Sequence, residues 1–333
     1  MTSVQYDVLG IGNAIVDVIA QTEEDFLVNH GMQKGMMALI DEARAAQIYQ
    51  AMGPTIESSG GSAANTIVGV ASFGARAAFV GKVKKDTLGD VFAHDIRAAG
   101  VAFETQPATD GPSTARCYVL ITPDGERTMN TYLGAAQNLH PRDIEPDMIA
   151  RAGITYLEGY LWDPKDAKEA FVKAAQAAHA ANRQVALTLS DAFCVDRYRD
   201  EFAELLRSRT VDVLFANEHE LRSLFVTEDL DTAIGALRET GALGVVTLGA
   251  KGAMTVTREE TVAVQAFPIE RLVDTTGAGD LFAGGFLFGL AHGRPERESL
   301  KLGALAAAEV IQHLGARPER SLKELAEQEG LAA

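Results

Sequence analysis

Short, almost unbroken apolar runs alternate along the chain with longer segments whose apolar residues recur every three to four positions. That is the pattern of strands buried on both faces and of the helices packed against them. Residues 4–12 form the first apolar run and residues 14–20 the second, with Gly12 and Asn13 at their junction. Runs at 75–81, 101–105, 154–160, 184–189, 211–215 and 243–248 predict further strands. Helices are predicted over 86–99, with Gly100 as the stop, and over 165–181 and 197–207. Residues 31–39 predict a short strand, and Asp41 followed by Arg44 marks the start of a helix. The glycine-rich stretch 57–66, ESSGGSAANT, reads as a turn with Ser62 as a helix cap, opening a helix that reaches about residue 73. Residues 302–314 predict a small-residue helix and the tail from Pro318 a charged one. This alternation argues for an α/β fold, a doubly wound and mostly parallel sheet flanked by helices.

The rhythm breaks between residues 114 and 133. There ARCYVLITP and RTMNTYL flank Pro123-Asp124-Gly125-Glu126, a strong hairpin signal. A hairpin inserted in a series of parallel crossovers falls outside the main sheet. With the 14–40 region it predicts a small β-sheet lid, so the expected division is 14–40 and 113–133 for the lid against 1–13, 41–112 and 134–333 for the large unit.

Composition narrows the partners. A chain of 333 residues that is 47% hydrophobic is ample for a large core. A net charge of -16 without a dense Lys/Arg block argues against nucleic acid or an anionic membrane as the principal ligand. Small anions remain compatible, because a nest of backbone amides binds phosphate even on an acidic protein. Cys117 and Cys194 are the only cysteines, far apart in sequence, which disfavours a disulfide framework or a zinc site. No basic leader with an apolar run follows the first residue, and no apolar run approaches roughly 20 residues, so a cytoplasmic protein is expected, monomer or homodimer.

The chemistry concentrates in residues 273–290, VDTTGAGDLFAGGFLFGL. Small residues just before a helix leave backbone N–H groups bare, and the helix dipole makes the spot attractive to phosphate. Asp280 lies inside that anion site. It reads either as an ordinary helix cap or as an acceptor for the proton of an attacking hydroxyl. Asn217 and Glu220 lie one helical turn apart after a strand, where α/β sheets bind ligands. His219 between them has no second histidine at metal-binding spacing. Two familiar nucleotide motifs are absent. Gly10-Ile11-Gly12 lacks the third glycine of a dinucleotide fingerprint because position 15 is Ile, and GxxxxGK[ST] occurs nowhere.

Residues 274–280, DTTGAGD, match residue for residue a signature of the ribokinase-like, or PfkB, family of carbohydrate and nucleoside kinases. The resemblance runs from residue 13 to about residue 315, with four motifs in the family's order, and the RTMNTYLGA and YLEGYLWDP stretches look most like its adenosine kinase members. It implies ATP-dependent phosphoryl transfer to a primary hydroxyl, with adenosine the favoured acceptor. A ribokinase-type sugar kinase and a non-catalytic nucleoside-binding protein are the alternatives. By the same resemblance Asp280 is the catalytic base, the amides of Gly277, Ala278 and Gly279 form the anion hole, and Arg127 is a lid arginine that reaches the phosphates. The acceptor falls to Asn13, Asp17, Met36, Gly61, Asn65, Leu133, Ala135 and Leu161, with the lone Trp162 beside the purine. ATP falls to Asn217, Thr247, Gly249, Gly252, Thr275 and Ala307. Magnesium falls to Glu220 through water, and a possible potassium to Asp274.

Overall fold

The computed structural model describes residues 3–331. The chain opens on β1 (Tyr6–Ile11) and β2 (Ile15–Gln21), then α1 (Glu24–Asn29), β3 (Met37–Leu39) and α2 (Glu42–Ala51). β4 (Ile56–Gly60) runs straight into α3 (Ser62–Ser72), followed by β5 (Ala77–Val80), α4 (Thr87–Ala98) and β6 (Val101–Phe103). The hairpin of β7 (Ala115–Ile121) and β8 (Arg127–Tyr132) leads through α5 (Pro146–Ala150) to β9 (Ala152–Glu158), α6 (Lys165–Ala180) and β10 (Gln184–Thr188). Then come α7 (Ala192–Arg207), β11 (Val213–Asn217), α8 (Glu218–Phe225), α9 (Leu230–Thr240) and β12 (Leu243–Thr247). The last elements are β13 (Ala253–Val256), β14 (Thr261–Val264), α10 (Ala278–Ala291), α11 (Glu296–Val310) and α12 (Leu322–Gln328).

Nine strands form one sheet in the order β14-β13-β12-β11-β10-β9-β1-β5-β6. It is parallel from β6 to β12, and at its far edge β13 pairs antiparallel with both β12 and β14. Its two faces carry separate cores. Leu9, Leu157 and Leu187 point into one with Phe171 and Phe202, while Val8, Tyr156 and Phe215 point into the other with Phe282 and Phe286. Alternate residues of one strand thus serve opposite layers, which is why these strands read as continuous apolar runs.

The remaining five strands form a smaller mixed sheet in the order β3-β8-β7-β2-β4. Here the expected division needs correcting. Residues 56–60, assigned to the large unit and read as a turn, pair antiparallel with β2 as an edge of the small sheet. IESSG carries no apolar alternation, so only its partner strand makes it a strand. Two further differences have local causes. α7 starts at Ala192 rather than near residue 197, because the non-helical φ/ψ of Tyr198 divides the helix and periodicity registers only its second part. α11 starts at Glu296, its first turn being polar.

Candidate active site

α10 has Gly277 as its N-cap, in the left-handed region at φ 78°, with no side chain capping the helix. Ala278 N donates to the carbonyl of Thr275 at 3.2 Å, and Asp280 stands in this first turn, where the sequence predicts an anion site. Its carboxylate is held from the side. Ser62 Oγ donates to Oδ1 at 2.6 Å and Asn65 Nδ2 to Oδ2 at 3.0 Å. Burial pushes the Asp280 carboxyl above its usual range, while the bonds from Ser62 and Asn65 and the charge of Arg317 pull it back. Both donors come from the first turn of α3, whose N-cap is Gly61 rather than Ser62. Gly61 sits at φ 98°, and a Cβ there would strike the carbonyl oxygen of Asn13.

Below Asp280 lies a cavity of about 100 Å³ at the carboxyl ends of β9 to β12. Glu220, Asn217, Thr247, Tyr156 and Ser190 line it. The α8 N-terminus closes on itself in a capping box, with Asn217 Nδ2 donating to Glu220 Oε1 at 2.6 Å and Asn217 N to Oε2 at 3.0 Å. Burial lifts the Glu220 carboxyl to about 7, against the backbone bond from Asn217. Among the described residues no three His, Cys, Asp or Glu side chains gather as a metal cluster. One carboxylate already bonded within its helix suits magnesium through an intervening water rather than direct ligation.

On the acceptor side, Asn13 at the β1–β2 junction gives its Nδ2 to Glu158 at 2.6 Å, and Ala63 N donates to the other Glu158 oxygen at 2.9 Å. Burial raises Glu158 to about 7, opposed by those bonds. The Oδ1 atoms of Asn13 and Asn65 are buried without a partner, two acceptors free for hydroxyl donors. Asp17 lies beside Cys117 in register on the small sheet, and burial lifts it to about 6 against the charges of Arg317 and Arg127.

Arg127 spans from the small sheet to the loop before α10, with Nη1 2.8 Å from Asp274 Oδ2 and both side chains 9% exposed. Asp274 also accepts from Thr276 N and Oγ1 and from Gly315 N. The carboxylate expected to hold a potassium is thus balanced here by a guanidinium. Arg127 Nε and Nη2 remain buried without a partner.

Other expected residues are not brought to the cavity. Leu161 is wholly enclosed in the core with Phe171 and Phe202, and Trp162 packs there with its ring tilted against both phenylalanines and its Nε1 donating to Glu201 at 2.8 Å. Their apolar run packs into the core on the far face of the sheet, away from the cavity. Ala135 is also fully buried, and Met36 is half exposed at the lid edge, where its carbonyl accepts from Met129 N. Gly252 packs against the backbone of residues 264–266, a turn requirement rather than a ligand contact. Leu133 and Ala307 are partly buried, Gly249 borders solvent and Thr275 is exposed. Sequence reasoning missed Ser62 as a partner of Asp280, and it missed Glu158 and Arg317. Glu158 sits at the end of an apolar run, a signal that could have found it, whereas nothing around Arg317 sets it apart.

A family model described as pfkB family carbohydrate kinase matches residues 42–322. The adenosine kinase of Sinorhizobium meliloti has a crystal structure similar to this one at a TM-score of 0.91, with 54% identity over 98% of this chain and 99% of that one. A probable sugar kinase from Rhizobium etli CFN 42 is similar at a TM-score of 0.92, with 50% identity over the same shares. The adenosine kinase of Saccharomyces cerevisiae is 30% identical over 92% of this chain and 94% of its own.

Proposed function

Because the chain belongs to the pfkB family of carbohydrate kinases, we propose that it transfers the terminal phosphoryl group of ATP to the primary 5′-type hydroxyl of a nucleoside, with adenosine as acceptor and AMP as product. The observation that carries this reading is the placement of Asp280. It is a partly buried carboxylate in an uncapped helix N-terminus, oriented by Ser62 and Asn65 and bordering the cavity that holds Glu220 and Thr247. Asp280 takes the proton of the attacking hydroxyl as that oxygen bonds to phosphorus and the bond to the ADP oxygen breaks. The amides of Gly277, Ala278 and Gly279 stabilise charge on the phosphoryl oxygens. Arg127, with two donors unpartnered, adds its charge as the lid settles.

Asp17, Asn13, Gly61 and Asn65 hold the sugar, Asp17 accepting from a ribose-type diol, and Leu133 borders the base. Asn217, Thr247, Gly249, Thr275 and Ala307 serve the nucleotide. Magnesium bound to the phosphates would offset their charge, and Glu220 would hold its hydration shell. The adenosine kinase names of the two relatives support adenosine. The Rhizobium etli relative's name supports a second reading, a sugar acceptor.

An ATP-consumption assay with magnesium over adenosine, inosine, guanosine, ribose and fructose-6-phosphate separates these readings. Turnover with adenosine alone is the expected result. Turnover with ribose in its place establishes the sugar kinase, and binding of adenosine without turnover with any acceptor defeats the kinase assignment.

A further inference from the structure

We propose that Arg317 is a positioning residue for this reaction: its guanidinium ties the small-sheet strand β4 to the first turn of α3 and supplies the positive charge that lets Asp17 and Asp280 be ionised together. The proposal rests on the reading of Asp280 as proton acceptor and Asp17 as holder of the acceptor.

The geometry is that of a clamp. Arg317 Nε and Nη2 donate to the carbonyl of Ser59 at 3.2 and 2.9 Å, Nη2 also reaches Ser59 Oγ at 3.0 Å, and Nη1 donates to the carbonyl of Ala64 at 3.1 Å. Between those carbonyls lie Gly60, Gly61, Ser62 and Ala63, the turn that sends Ser62 and Asn65 to Asp280 and brings Gly60 against Asp17. A planar fork can hold two backbone segments at once, which a lysine cannot.

The loop that delivers Arg317 is braced on the phosphate-side loop. Gly315 N donates to Asp274 Oδ2 at 3.2 Å, and Ala316 lies against Gly277. Glu309 Oε1 accepts from the amides of Glu319 and Arg320, both at 3.0 Å. One joint therefore links the helix N-terminus, the lid edge and the acceptor side.

Charge gives the clamp its second role. The groups around Arg317 are Asp17 from β2, Asp95 from α4 and Asp280 from α10. Asp95 is bonded to Ser59 N at 2.7 Å. β9 adds Glu158 and Tyr156 near Asp280, and Arg127 of β8, already paired with Asp274, is the other cation acting on Asp17. Among the described residues Arg317 makes no ion pair within 4.0 Å, and it acts on both carboxylates through its field; burial lowers it to about 10, so it stays charged at neutral pH.

The test is the pH dependence, from 5 to 9.5, of kcat and kcat/KM for wild type, Arg317→Gln and Arg317→Lys, using the acceptor that wild type turns over. In Arg317→Gln the acid limb is expected to move up by about one pH unit, with turnover recovering toward wild type at the alkaline end. In Arg317→Lys the limb stays while the acceptor KM rises roughly tenfold, because the fork is lost. An unmoved limb in Arg317→Gln, or a loss equal at every pH, overturns the proposal. Should Arg317→Gln fail to fold, an unchanged acceptor KM in Arg317→Lys overturns it instead. Failure of the underlying reading looks different: Asp280→Asn would keep its turnover, whatever the Arg317 variants do.

Discussion

Asp280 and Asp17 carry different burdens, and each makes its own prediction. Asp280→Asn keeps the shape of the side chain and one accepting oxygen for Ser62 or Asn65, but removes the proton acceptor. Turnover is expected to fall on the order of 10³-fold, the scale of general base catalysis, with ATP affinity by calorimetry unchanged. Near-normal turnover would remove the base assignment. Burial, outweighing the nearby arginines, pushes the Asp17 carboxyl up to about 6. Its ionised form accepts two hydroxyl bonds and its protonated form does not, so kcat/KM for the acceptor should decline as pH drops through 6 and level above 7. A profile flat from pH 5 to 7 would show that Asp17 does not hold the acceptor. These roles rest on residue types that were visible in the chain, whereas the partners that tune them, Ser62, Glu158 and Arg317, arrive from α3, β9 and the loop after α11.

Among the elements, α10 is the one whose sequence looks poorest for its conformation, with Gly284, Gly285 and Gly289 within a single helix. Each glycine costs roughly 1 kcal/mol of helix propensity against alanine. Contact explains them. A Cβ on Gly284 would lie 2.7 Å from the carbonyl oxygen of Thr66, so α10 and α3 meet backbone to backbone, and that approach brings Asp280 within reach of Ser62 and Asn65. Gly284→Ala, favoured by propensity alone, is therefore expected to destabilise the protein by about 1–3 kcal/mol, as overpacking does. Chemical denaturation measures this, and a gain in stability would mean the helices are not in register there. The sequence showed an apolar helix with unexplained glycines; which neighbour required them was invisible without α3.

For the molecule as a whole, the question is what holds the small sheet over the large one. The pair of Arg127 and Asp274 joins them with both side chains nearly dry. Removing one charge of such a pair strands the other, at a cost of about 3–5 kcal/mol, while removing both charges together leaves no ion uncompensated. Arg127→Met and Asp274→Asn should each lower Tm more than the double variant does, and each should speed proteolysis at the exposed 123–126 turn. Additive losses in the cycle would show that the contact carries no coupling.

The sequence by itself determined the alternation of buried strands and helices, the inserted hairpin and the glycine-rich N-terminus bearing Asp280, because each is a local pattern of period, turn chemistry or spacing. Only the tertiary structure decided that 56–60 is a strand, that Leu161 and Trp162 pack on the face of the sheet away from the cavity, and that Arg127 balances Asp274. Those outcomes depend on which face a residue presents and which distant charge it meets, and a strand assignment read from one segment contains neither.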